Sequence, residues 1–221
     1  GSVTGTVNGT GTLTIERNAN YQLAPGGTAA FGSDILLNVE GTALIGTAES
    51  PITAGMPKKV TVSGNLTTYF KSPSGVKPLA LGELVLQDGG SYTLIHTERT
   101  LYSSHTIDKL TVDGGGLLTN SILNVDEETI APQFKHDIII NTLSGIGTLD
   151  LDTSSDVYVT KTTINDTASG GYNGDIVIHN PHYYKTDYYY YPNYDHGQVV
   201  EMKSGTVNGV VRLEAHGMMS D

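Results

Sequence analysis

Short runs in which apolar and polar residues alternate fill most of the chain, as in Leu110-Thr-Val112, Leu149-Asp-Leu151 and Leu37-Asn-Val39. A period of two is the pattern of a strand with one buried face. Glycines or Asn/Asp turns interrupt the runs, and Gly114, Gly115 and Gly116 would each cost about 1 kcal/mol relative to alanine inside a helix. The pattern therefore predicts an all-β chain of short strands and tight turns.

The runs also recur. From Leu13 onward, equivalent starts fall at 13, 36, 60, 84, 110 and 138, intervals of 23 to 28 residues that match repeat architectures. One coil of a three-sided, right-handed parallel β-helix uses about twenty to twenty-five residues, and coils stack at about 4.8 Å. The expected fold is such a solenoid, with coils over 1–151 and a C-terminal capping region over 152–221. Within that second region the strands are closer set, at Val157-Tyr-Val159, Ile176-Val-Ile178, Val199-Val200 and Val210 to Leu213. Asn208-Gly209 suggests a closing β-hairpin. Segment 126–136 reads as an insertion between coils, and 181–198 as a tyrosine-rich insertion.

Composition narrows the function classes. The chain has 221 residues, 27 glycines, 13 tyrosines, no cysteine and a formal charge of −11. That charge repels phosphate backbones and anionic lipid heads, so nucleic acid is not an expected partner. Without cysteine there is no disulfide framework, thiolate metal site or thiol nucleophile. No run reaches the apolar length of a membrane helix, and the first residues do not show a basic stretch followed by an apolar one. Gly1-Ser2 has the look of a cleavage scar, in which case targeting signals lie elsewhere.

The order Leu143-Ser-Gly-Ile-Gly-Thr-Leu-Asp-Leu-Asp-Thr153, Asp156-Val-Tyr-Val159, Ala168-Ser-Gly-Gly-Tyr172 and Asp175-Ile-Val-Ile-His-Asn180 resembles the end of the pertactin-like passenger of bacterial autotransporters. The phrases Leu84 to Gly90 and Leu110 to Gly115 look like that family's coils. The resemblance implies a cell-surface adhesin or self-associating module of a Gram-negative outer-membrane protein, active in adhesion, aggregation or biofilm, and a factor in virulence. It also implies an autochaperone-like role for the C-terminal coils. Attachment to the membrane is expected only through a translocator that this chain does not contain, as an anchored or released extracellular passenger.

Candidate sites follow from residue chemistry. Tyr183, Tyr184, Tyr188, Tyr189, Tyr190, Tyr191 and Tyr194 offer flat apolar faces with hydroxyl rims, suited to a host glycan, a host protein or the same loop on another molecule. Alternatively they cover the open edge of the last coil. Asp150 and Asp152 lie two residues apart on one strand face, about 6.5 to 7 Å in backbone spacing, which suits either a solvated face or the carboxylate pair of a glycosidase. His182, Asp187, Asp195 and His196 have no recognised metal-ligand spacing, and neither a metal nor a cofactor is expected. His96, His105, His136, His179 and His216 have no partner legible in the sequence. The leading expectation is a non-enzymatic binding module, and the alternative is a polysaccharide lyase or hydrolase on the same scaffold.

Overall fold

A computed structural model of the chain describes residues 1–3, 7–24, 26, 31–32, 34–53, 55–71, 79–97, 102–123, 135–153, 159–180 and 197–214. Among these the chain forms β1 (Ser2–Val3), β2 (Gly11–Ile15), β3 (Asn20–Leu23), β4 (Ile35–Val39), β5 (Thr42–Ile45), β6 (Lys59–Val62), β7 (Asn65–Phe70) and β8 (Leu79–Gln87). There follow β9 (Gly90–His96), β10 (Tyr102–Asp113), β11 (Gly116–Ile122), β12 (Lys135–Thr153), β13 (Val159–Thr167), β14 (Asn173–His179), β15 (Gly197–Met202) and β16 (Val211–Glu214).

Every ladder between these strands is parallel, and up to β11 each strand pairs with the equivalent strand of the next coil rather than with its neighbour in sequence; the long β12 pairs with both of its sequence neighbours, β11 and β13. Two stacks result. One runs β2, β4, β6, β8, β10, β12, β13, β15, and the other β1, β3, β5, β7, β9, β11, β12, β14, β16. The long β12 belongs to both: its first part pairs with β10 and its last residues pair with β11. The molecule is thus an all-β, parallel, solenoid-like column.

Parallel stacking in register places like on like. In the first stack one inward column is Leu13, Leu37, Val60, Leu84, Leu110, Leu143. In the second it is Ala43, Leu66, Tyr92, Leu118, Leu151, Ile178, Leu213. Most members are wholly buried, and each large aliphatic side chain withdrawn from water contributes about 1.5 to 3 kcal/mol before entropy is counted. The corners between the stacks are tight: Gly41, Gly64, Gly90 and Gly116 occupy equivalent positions one rung apart. Another corner carries a polar ladder, in which the Asn165 amide donates to Asn141 Oδ1 at 2.8 Å and the Asn141 amide donates to Asp108 Oδ1 at 3.0 Å.

Two expectations are corrected. Among the repeat starts, Leu36 and Ile138 are not equivalents of the others: Leu13 stacks on Leu37, and Leu110 stacks on Leu143 while Ile138 stacks on His105. Both segments of β12 carry the same alternation, and the connection before it removes any fixed spacing by which the sequence could choose between them. The closing β-hairpin expected at Asn208-Gly209 does not form among the described residues. β15 pairs with β13 and β16 with β14, both parallel, so the segment around Asn208 is one more corner. There the Asn208 N–H donates to the Tyr172 carbonyl at 2.8 Å, and its side-chain amide donates to the Gly170 carbonyl at 2.8 Å. Stacking corner on corner satisfies the groups that a hairpin turn would have paired locally. The ladders run past Leu151 without interruption.

Candidate binding face

The outward side of the second stack, over its last three rungs, gathers the charged residues of β12, β14 and β16. Leu149 and Leu151 are fully buried, which by the pleat turns Asp150 and Asp152 outward, as the alternation predicts. Across the rungs, Asp150 Oδ1 lies 2.9 Å from His179 Nε2, and His179 Nδ1 lies 3.5 Å from Glu214 Oε2. Asp152 Oδ1 accepts from the Asn180 amide at 3.2 Å and from the Thr153 N–H at 2.8 Å. Beside this line Asp175 accepts the Val210 N–H at 2.8 Å and pairs with Arg212 at 3.6 Å. The face is therefore cross-linked from rung to rung and still open, with the Asp150 and Glu214 side chains 36% and 51% exposed.

Other outward ladders repeat the theme. Glu83 sits between Lys59 at 3.3 Å and Lys109 at 3.8 Å, spanning three rungs of the first stack. Lys161 contacts Glu201 at 2.5 Å; the bond raises the lysine above its ordinary value and lowers the glutamate below its own. Exposed pairs of this type each contribute about 1 kcal/mol or less, so they set the pattern of charge on the surface more than the stability. A shallow polar depression lies at the corner formed by Asp166, Thr167, Ser169, Gly171, Thr206 and Asn208.

Two histidines take a different place. His96 and His105 are buried in the column, His96 against Asn120 and His105 against Tyr92 and the Leu79 carbonyl. Both were legible as inward residues: His96 shares the parity of Tyr92 and Leu94, and His105 that of Ile107. The partnership of Asp150 with His179, 29 residues apart, had no local signal.

The seven tyrosines Tyr183 to Tyr194 lie outside the described residues, as do His182, Asp187, Asp195, His196 and His216. Among the described residues no group of three or more His, Asp or Glu side chains is arranged to hold a metal ion, and no helix is long and apolar enough to cross a membrane. No family model matches the chain, and neither a curated protein nor a solved structure pairs with it.

Proposed function

We propose that the chain is a right-handed parallel β-helix from the passenger of an autotransporter, displayed at a Gram-negative cell surface as a non-enzymatic adhesin. The observation that carries this reading is the cross-linked outward face of β12, β14 and β16, where Asp150, His179 and Glu214 sit on a rigid column. Such a face presents polar groups at fixed intervals of about 4.8 Å, so individually weak contacts with a glycan or a protein add along the ladder and across many copies on a cell. The tyrosines of 181–198 supply the aromatic anchors. A formal charge of −11 makes a neutral or cationic partner, or a second copy bound through tyrosines, the natural fit.

The test is display of the chain on cells, with the 181–198 segment deleted in one arm and Asp150 and Glu214 neutralised in another. Adhesion to a glycan and matrix-protein array, or clumping of the cells, is expected to fall in both arms. Unchanged adhesion and clumping in both would sink the proposal.

A second reading, a polysaccharide lyase or hydrolase, draws on the hydrogen bond between Asp150 and His179 beside Asp152. It predicts shortened oligosaccharide products that disappear in Asp150→Asn. Binding without products supports the adhesin.

A further inference from the structure

The column interior is largely aliphatic, but an aromatic and polar cluster is buried across three successive rungs. Among the buried side chains of β7, β9, β10 and β11 are Phe70, Tyr92, His96, His105 and Asn120, each at most 1% exposed. Phe70 is flanked by both imidazoles, with ring centroids 5.5 Å from His96 and 6.5 Å from His105. His96 Nε2 lies 3.0 Å from Asn120 Oδ1, and the Asn120 amide donates to the Lys161 carbonyl at 3.1 Å. His105 Nδ1 lies 2.9 Å from the Leu79 carbonyl, a contact that requires the ring proton on Nδ1, and Nε2 faces the Tyr92 hydroxyl at 3.4 Å. These two sets of contacts, one through His96 and one through His105, engage five strands, β8, β9, β10, β11 and β13.

We propose that this cluster is a proton-sensitive joint: when the His105 imidazole takes up a proton, the rungs that pack on it part, while rungs further along the column stay stacked. The described groups that face His105 are Tyr92 of β9, Phe70 of β7, with His96 beyond it, and Leu79 and Ile138, its ladder neighbours in β8 and β12. None is a carboxylate. Burial raises the Tyr92 hydroxyl well above its ordinary value, so the phenol stays neutral and offers an imidazolium no counter-charge. Burial also pushes His105 down to about 4, against an ordinary 6.5. A histidine held neutral in the closed state and free to protonate in the opened state couples acid to opening. In a solenoid, stability is close to a sum over rungs and their interfaces, so the penalty falls on the rungs that hold this cluster.

The sign runs in one direction. The closed state is favoured at pH 7, and the opened state gains as the pH falls from 6.5 towards 4. Hydrogen exchange of the whole chain, expressed as protection factors at pH 7 and 4.5, tests it. Amides of β9, β10 and β11 are expected to lose protection by a factor of ten or more, while those of β4 and β5 change little. In His105→Gln, which keeps an amide donor for Leu79, and in His105→Phe, the loss should shrink to a few-fold. Loss spread evenly along the chain or starting at its ends, or persisting undiminished in a folded variant, overturns the proposal. Should neither variant fold, the imidazole of His105 in the unaltered chain can be followed by NMR. Protonation that coincides with loss of protection supports the joint, and protonation with protection intact refutes it.

Discussion

Gly64 lies so close beneath Gly41 that a Cβ on Gly64 would sit 2.0 Å from the Gly41 carbonyl oxygen. That distance is far inside van der Waals contact, and the atom in the way is backbone that cannot rotate aside. The glycine column at this corner therefore lets successive rungs close to ladder spacing, which is what aligns the inward side chains of the second stack.

Gly64→Ala is accordingly expected to cost more than 3 kcal/mol, or to prevent folding, since the ladder must open by more than an ångström to admit the methyl group. Gly89→Ala is the control. Gly89 has φ +81 and open space around it, so alanine there meets only backbone strain of about 1 to 2 kcal/mol. Urea unfolding of the two variants should separate them clearly, and equal midpoints would contradict the packing argument.

Leu151 and Leu213 belong to the same inward column and differ in what lies above them. Leu151 is wholly buried between Leu118 and Ile178, while Leu213 on the last described rung is 67% exposed. Leu151→Ala should destabilise by about 2 to 5 kcal/mol through the cavity it leaves. Leu213→Ala should stay within about 0.5 kcal/mol of the parent, as for an exposed position. Thermal melts of the two variants give the comparison directly.

These contrasts also show how far the sequence could be read. Alternation placed Leu149 and Leu151 inside and Asp150 and Asp152 outside, because a strand offers a side chain only two directions. It could not tell which run stacks on which. Ile138 and Leu143 carry the same pattern, and only parallel pairing across a connection of variable length decides that Leu143 lies on Leu110. Asn208-Gly209 failed for a related reason: its turn chemistry is local, whereas the partner of Val211 is Ile176, 35 residues earlier. The Asp150 and His179 contact is non-local in the same way.

Lys161 and Glu201 tie β13 to β15, and their shifted protonation gives the junction a pH window. Glu201 sits below its ordinary 4.5, so its contribution is present above that value and is lost as the pH falls through the lower folded-state value. Lys161 sits above 10.5, so its contribution is present below that value and is lost as the pH rises through the raised one. Exchange protection of β15 amides should hold level between these limits and decline outside them. Lys161→Met should remove the Glu201-linked part of the acid decline and weaken the response to salt, because the pair is exposed and screened.

Asn141 is the middle of the corner ladder, donating to Asp108 at 3.0 Å and accepting from Asn165 at 2.8 Å. Removing it by Asn141→Ala breaks both bonds but leaves their partners able to reach water, so a cost of about 1 to 2 kcal/mol is expected. Asn141→Asp keeps the shape and the acceptor for Asn165 and replaces the donor to Asp108 with a second carboxylate. At neutral pH the like charges then face each other across one ladder step, a repulsion that salt screens and acid removes. The Asp variant should therefore be less stable than the Ala variant at pH 7 and low salt, and should regain ground on Ala at 1 M salt or below pH 4. Urea midpoints at the two salt concentrations decide the matter: a salt response no larger than that of the parent would mean that the two side chains do not meet in solution.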